Sequence, residues 1–445
     1  MRRPVWILHL FVVGLAVHNF AMAELYAAGI RGTALELVSA WKEALLALGL
    51  AIVLREHGSL RFRPTTVDSL AIAFGAFVLV YGLIPQHWLG GAATHKGVLL
   101  GVRHDLLPVA AYFFGRGLNL TVRDVRYLGV TILSTAAAVA TFGLIDIYTI
   151  PLSWWRSSGA PDWYRYQLGF KDPGLSNLPE NFVYNTGNEH PLRRLVSTFL
   201  SPLASSYLLV TALLLAAAWI LQLRPRLALW LPTTALLYAG LLWTHSRSSY
   251  LALSLGLLVF AALRPQWRTP LLAAALLSLA AGFAFVKVYP QIAPSSSYTS
   301  AELTVQRATA HKAGAGPAVD PNGVEDASIS EHIKSLRAGI SAVFHHPQGY
   351  GPGNAGSTAA RTGVTIEAGE STYTELGVDT GLVGGLLFLA WSLALLWRGM
   401  RCSAWLGAAM VAMLALGLQT DIIGVPWLVY VLWPLSGWRI SHPEL

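Results

Sequence analysis

Long solid runs of apolar residues, separated by short polar turns, dominate the chain. Twelve stretches read as transmembrane helices: 5–27, 33–54, 67–86, 97–115, 127–149, 203–222, 227–243, 248–263, 270–289, 374–397, 403–420 and 423–438. A span of this kind needs roughly 20 apolar residues. Outer-membrane barrels read instead as short alternating segments of about 10 residues. The pattern therefore predicts an all-α polytopic membrane protein with about twelve transmembrane helices.

Two connecting segments break the rhythm, dividing the chain into five parts: helices 1–5 (1–150), an aromatic segment (151–202), helices 6–9 (203–289), a long loop (290–373) and helices 10–12 (374–445). The aromatic segment holds Trp154, Trp155, Trp163, Tyr164, Tyr166, Phe182 and Tyr184. Such a set suits an interfacial belt, or a platform on which sugars stack. The long loop opens with a Ser/Ala/Gly/Pro stretch that reads as flexible. A Ser328–Glu331 capping box follows, then Ile329, Ile333, Leu336, Ile340 and Val343 at helical spacing, predicting an amphipathic helix over 329–345.

Positive charge orients the spans. With the N-terminus inside, the inner segments hold Arg2, Arg3, Arg55, Arg61, Arg63, Arg116, Arg123, Arg126, Arg224, Arg226, Arg264, Arg268, Arg398, Arg401 and Arg439. The short outer loops hold only Arg31, Lys96 and Arg247. Fifteen against three places both termini in the cytoplasm and both long segments on the outer, periplasmic face. The first span resembles a signal peptide, but His9, His18 and Asn19 interrupt it and it is expected to stay uncleaved.

Composition narrows the class. Of 445 residues, 54% are hydrophobic and 12% charged, about half the charged share of a soluble domain, which argues against a soluble enzyme. The net charge of +8 reports loop topology rather than nucleic-acid binding. A single cysteine, Cys402, excludes an internal disulfide and a thiolate cluster. No His or Asp/Glu spacing suggests a metal site, and no cofactor is expected.

Ionisable residues at membrane depth are costly and mark candidate sites. Lys42 and Glu43 lie within the second span, and Arg103, His104 and Asp105 within the fourth. Arg103 and Asp105 cannot face the same way on one helix, so each needs its own partner. At the outer ends, Arg194 precedes span six and Arg247 sits in the small turn between spans seven and eight. A planar guanidinium there can hold phosphate oxygens bidentately.

Four stretches, taken in order, resemble the O-antigen ligase / O-antigen polymerase superfamily. They are the Arg-Leu-x-Ser-Thr-Phe-x-x-Pro run around Arg194, the run Ser246-Arg247-Ser248-Ser249-Tyr250, the region from Ser335-Leu336-Arg337 to Gly353-Asn354, and Glu370-Ser371-Thr372-Tyr373 leading into Leu376-Gly377. The resemblance covers about 190–390. It implies a GT-C-like membrane glycosyltransferase on the outer face of the bacterial inner membrane. The donor is a glycan on undecaprenyl pyrophosphate. The acceptor is lipid A-core in ligases or another lipid-linked repeat in polymerases, and a chain-length regulator protein is a further partner. Arg247 and Arg337 are the implied pyrophosphate contacts, with Arg194 a further candidate and Arg103 and Tyr373 additional ones.

One departure matters. Ligases carry a His-Asn pair where this chain has Glu370-Ser371. A carboxylate can also accept the proton of an attacking hydroxyl, so Glu370 is the candidate base. The reading leans towards a polymerase, with a ligase as the alternative. The glycine-rich Gly349-Tyr350-Gly351-Pro352-Gly353 is not a P-loop, having no Gly-Lys-Ser/Thr and no preceding strand; a tight re-entrant turn is expected. The rival from another class is a transporter of anions or lipid-linked glycan, with Lys42, Glu43 and Arg103 along its path.

Overall fold

A computed structural model of the chain describes residues 4–57, 64–170, 178, 182–184, 191–223, 227–294, 300, 303–304, 327–365 and 371–444. The first part holds α1 (Val5–Ala27), α2 (Thr33–Ser39), α3 (Trp41–His57), α4 (Thr66–Leu83), α5 (His95–Arg116) and α6 (Val122–Thr149). Short helices α7 (Leu152–Ser157) and α8 (Gly159–Asp162) follow, then an antiparallel pair of β1 (Val183–Tyr184) and β2 (Leu192–Arg193), with Val183 opposite Arg193. Next come α9 (Pro202–Leu223), α10 (Leu227–Trp243), α11 (Arg247–Leu263) and α12 (Arg268–Ile292). The last part holds α13 (Ala327–His345), α14 (Gly356–Thr362), α15 (Thr372–Cys402), α16 (Ala404–Leu416) and α17 (Pro426–Ser441).

The protein is an all-α polytopic membrane protein. Each of the twelve apolar stretches is helical. Among the described residues, α1, α4, α5, α6, α9, α12 and α15 are long and apolar enough to cross a membrane, and α2 and α3, bent by 42° to each other, pass the same test only when taken together. The other four are shorter: α10 and α11 have 17 residues, α16 has 13 and α17 has 16. Helix α16 stops at Leu416, short of the expected 420. The carbonyls of Gly417 and Thr420 instead accept hydrogen bonds from Ser371 and Thr372.

Helix α17 is the axis of the core, buried on every side from Trp427 to Trp438, as expected of a helix that is hydrophobic all round. It lies close against α5 because glycines face each other's backbone. A Cβ on Gly115 would stand 2.0 Å from the Pro434 carbonyl oxygen, and one on Gly437 2.3 Å from that of Tyr112. At the same end of α5, Arg116 clasps Asp68 of α4 through Nε (2.7 Å) and Nη2 (2.9 Å), with Tyr112 donating to the same carboxylate. The capping boxes Thr65–Asp68 and Thr121–Asp124 start α4 and α6.

The aromatic segment is largely a packed element rather than an open belt. Trp155, Trp163 and Phe182 are buried in one cluster with Met22, Ala23 and Tyr26 of α1, leaving Tyr166 exposed. The expected amphipathic helix is α13, whose Val343 packs against Val378 and whose Gly377 neighbour on α15 has no side chain in the way. Ile333 and Ile340 on the same helix are exposed.

Candidate functional site

Both long segments come together at one end of the bundle. The Arg193 amide donates to the Pro294 carbonyl at 3.1 Å, and Arg361 Nε donates to the Leu168 carbonyl at 3.0 Å. Two groups of buried polar residues lie at this loop-bearing end.

The first group forms where β2 and the residues after it run beside the turn between α10 and α11. The Leu195 amide donates to the Trp243 carbonyl and Arg194 Nε to the Thr244 carbonyl, each at 2.9 Å. Arg193 turns the other way, its Nη2 3.2 Å from Asp146 Oδ1 and its Nη1 donating to the Ile150 carbonyl at 2.7 Å. Arg194 is 7% exposed, and Arg247 heads α11 half-buried beside it. Burial, with Arg247 adding to it, lowers the Arg194 guanidinium to about 10, so it stays charged at neutral pH.

His245 lies in the same turn, with a backbone φ of 50°. Its ring is sandwiched between Tyr184 at 4.4 Å and Tyr289 at 4.5 Å. Burial, then Arg194 and Arg247, push its imidazole down to about 3, so the ring is neutral. Ser249 links Ser246 (2.8 Å) and Ser206 (2.7 Å) through a chain of hydroxyls. Guanidinium forks and hydroxyl donors fit phosphate oxygens.

The second group surrounds a break in α15. Gly381 has φ 69° inside the helix, and the stretch after α13 inserts there. The Tyr350 amide donates to the Val378 carbonyl (2.7 Å) and the Leu382 amide to the Pro347 carbonyl (2.8 Å). Gly353 and Asn354 amides donate to the two oxygens of Asp379 at 3.0 and 3.1 Å. The glycine-rich stretch is thus the tight inserted turn expected of it, and these amides bond to the fold. Asn354 Oδ1 accepts from the amides of Ala92 and Ala93, stitching the turn to the start of α5. Nearby, His104 bridges Asp105 Oδ1 and Asp421 Oδ2, each at 2.9 Å. Burial pushes the Asp421 carboxyl up, but the His104 imidazole outweighs it and holds the group below the usual carboxylate range.

The structure brings Arg194 and Arg247 together. Arg337 is exposed on α13. Arg103 pairs with Glu43, its Nε donating to Oε1 at 3.0 Å. The Tyr373 hydroxyl donates to the Leu414 carbonyl at 2.8 Å, a bond between α15 and α16. Glu370 lies outside the described residues, but Ser371 after it is buried, with Oγ donating to the Gly417 carbonyl at 2.9 Å. Among the described residues, no three His, Cys, Asp or Glu side chains are grouped as metal ligands. His245 and the His104–Asp421 bridge escape a sequence reading. The signal for the bridge is the His104-Asp105 dipeptide inside an apolar stretch, while its partner stands 317 residues away.

Residues 232–389 match a family model described as O-antigen ligase. This stretch belongs to the O-antigen ligase / polymerase superfamily. Arg247, Arg337, Glu370 and Tyr373 fall inside the O-antigen ligase match, whereas Arg194 and Arg103 fall outside it. The match supports a membrane protein with ligase- or polymerase-type function, and members of the family work with lipid-linked glycans. No curated protein matches the chain.

Proposed function

We propose that the protein polymerises oligosaccharide carried on undecaprenyl pyrophosphate, at the outer face of the inner membrane, by a metal-independent, inverting transfer on a GT-C-like scaffold. The observation that carries this reading is the meeting of Arg194 and Arg247, 53 positions apart, beside a neutral imidazole and a chain of serine hydroxyls. Arg247 and Arg194, joined by Arg337, hold the donor pyrophosphate. A hydroxyl of the acceptor sugar attacks the anomeric carbon, the bond from that carbon to the phosphate oxygen breaks, and the hydroxyl proton passes to the Glu370 carboxylate. The arginines neutralise the charge that grows on the departing pyrophosphate.

Position supports Glu370 as base. It directly precedes Ser371, whose Oγ donates to the Gly417 carbonyl at the loop-bearing end. In a strain making a surface polysaccharide, Glu370→Gln is expected to leave single repeats on the acceptor, with protein levels unchanged. Full-length chains from the Glu370→Gln strain overturn the base assignment. The description of the matching family favours ligation as a second reading. A ligase variant instead leaves long chains on the carrier lipid, so the glycan ladder separates the two. A transporter predicts that Arg103→Ala abolishes function while Arg247→Ala and Glu370→Gln are silent.

A further inference from the structure

A cavity of about 310 Å³ opens where α15 stops, at the end of the bundle away from the two long segments. It lies between α6, α9, α16 and α17, at the small end of the range for ligand pockets, roughly 300–1,000 Å³. Arg126, Arg264 and Arg439 line it, and no Asp or Glu is among the described residues that do. Asp124, two residues before Arg126 on α6, is taken up by the Thr121 cap. Arg439 donates through Nε to the Cys402 carbonyl at 2.9 Å and through Nη1 to that of His442 at 2.8 Å. Those carbonyls are neutral and leave its charge in place. Arg264 differs: its Nε is buried and has no hydrogen-bond partner among the described residues. The indole nitrogen of Trp438, also in the cavity wall, is buried and unpartnered in the same way.

A cation placed on a membrane face by topology alone keeps its head in water. Arg264 instead holds a buried donor, which is costly unless an occupant supplies the acceptor. Both unmet groups are N–H donors and the charge around them is positive, so the occupant is an acceptor-rich anion. Phosphate fits, because its oxygens match a guanidinium fork. The walls indicate what carries it. Val125, Leu128 and Ile132 run inwards from the rim along one face of α6, joined by Leu215 of α9 and Leu435 of α17. Val122 at the rim is 60% exposed and Val130 further along α6 is 47% exposed, so this spanning helix meets lipid beside the opening. A basic rim above an apolar wall, between membrane helices, suits a lipid head. The geometry points to a site for the phosphate head of an anionic phospholipid, held by Arg126, Arg264 and Arg439 on the face opposite the proposed donor site.

Cys402, the sole cysteine, lines the cavity and reports its occupancy. Purified full-length protein in neutral detergent is titrated with phosphatidylglycerol, phosphatidylcholine or glycerol 3-phosphate. The rate at which N-ethylmaleimide labels Cys402 is followed, and retained lipid is counted by native mass spectrometry. Phosphatidylglycerol is expected to slow labelling of the wild type and to stay bound through mass analysis. Arg264→Gln and the double variant Arg126→Gln/Arg264→Gln are expected to raise the phosphatidylglycerol concentration needed by about 10- to 100-fold, the worth of one or two charged hydrogen bonds. Thermal midpoints without lipid show that the variants fold. Arg126→Gln, at an exposed position on the rim, carries the test alone if the Arg264 variants do not. Labelling slowed equally in the wild type and in a folded variant overturns the site. Equal protection by glycerol 3-phosphate at the same concentration overturns its assignment to a lipid. Equal protection by phosphatidylcholine overturns the role given to the lipid's net charge.

Discussion

Arg193 and Arg194 are adjacent in the chain and face different neighbours. The Arg193 side chain is spent on Asp146 and the Ile150 carbonyl, so Arg193→Ala leaves a buried carboxylate without its cation. That loss is expected to cost about 3–5 kcal/mol and to appear as a large drop in the thermal midpoint in detergent. Arg194→Gln keeps a donor for the Thr244 carbonyl. It is expected to fold like the wild type and to lose about 10²–10³ in rate, by analogy with a donor that stabilises charge in the transition state. Equal losses of stability in the two variants would count against a ligand-binding role for Arg194. His245 adds a pH signature. Its folded value of about 3 lies below the ordinary 6.5, so between these limits the unfolded chain binds the extra proton and stability falls as pH falls. At pH 5 the loss is about 2 kcal/mol, and above pH 6.5 it vanishes. His245→Phe keeps a ring between Tyr184 and Tyr289 and is expected to flatten the decline between pH 7 and pH 5, read by thermal unfolding across that range.

Helix α15 shows what one residue does to an element. Gly381 takes a left-handed φ, and a Cβ there would stand 2.6 Å from the Pro347 carbonyl oxygen. Gly399, lower on the same helix, has nothing within 4 Å of a built Cβ. Gly381→Ala is therefore expected to cost at least about 1–3 kcal/mol and to expel the inserted turn, while Gly399→Ala is expected to be neutral or slightly stabilising; thermal unfolding of the two variants compares them directly. Neither the break at Gly381 nor the bend between Ser39 and Trp41 is visible in hydropathy, which averages over a whole span. The twelve helical stretches, the amphipathic α13 and the partners demanded by Arg103 and Asp105 were legible because each depends on local periodicity and on the cost of charge in lipid. The closeness of Arg194 to Arg247 was expected from family resemblance and not from spacing. Composition could not separate a belt from a packed cluster, because Trp155 and Phe182 are buried by Met22 and Tyr26, more than 125 positions earlier. The His104–Asp421 bridge was hidden for the same reason, as no local pattern links α5 to the turn before α17.

At the scale of the molecule, the four short helices decide how many times the chain crosses. Helix α15 has 31 residues and bends at Gly381, so its two ends lie closer together than those of a straight helix. The turn after α16 is bonded to one of its ends, through Ser371 and Thr372. Arg439, near the end of α17, donates to the Cys402 carbonyl at the other end, at 2.9 Å through Nε. Helices α16 and α17 must therefore each run between the two ends of α15. Thirteen residues of α16, about 20 Å, reach the start of the bent α15, where Gly417 bonds to Ser371 and Thr372, and the turn that follows brings Asp421 to His104. Twelve crossings then put the turn at 417–425 outside, whereas eight, without α10, α11, α16 and α17, put it inside. Leu418 in that turn is exposed, and Cys402 is the sole cysteine. In a Cys402→Ala background, Leu418→Cys is expected to react with a membrane-impermeant maleimide added to intact spheroplasts, and Gln266→Cys, in the turn between α11 and α12, only after lysis. Reaction of Leu418→Cys only after lysis would mean that α16 and α17 together do not carry the chain across and back, and that Asp421 lies on the side away from the proposed donor site.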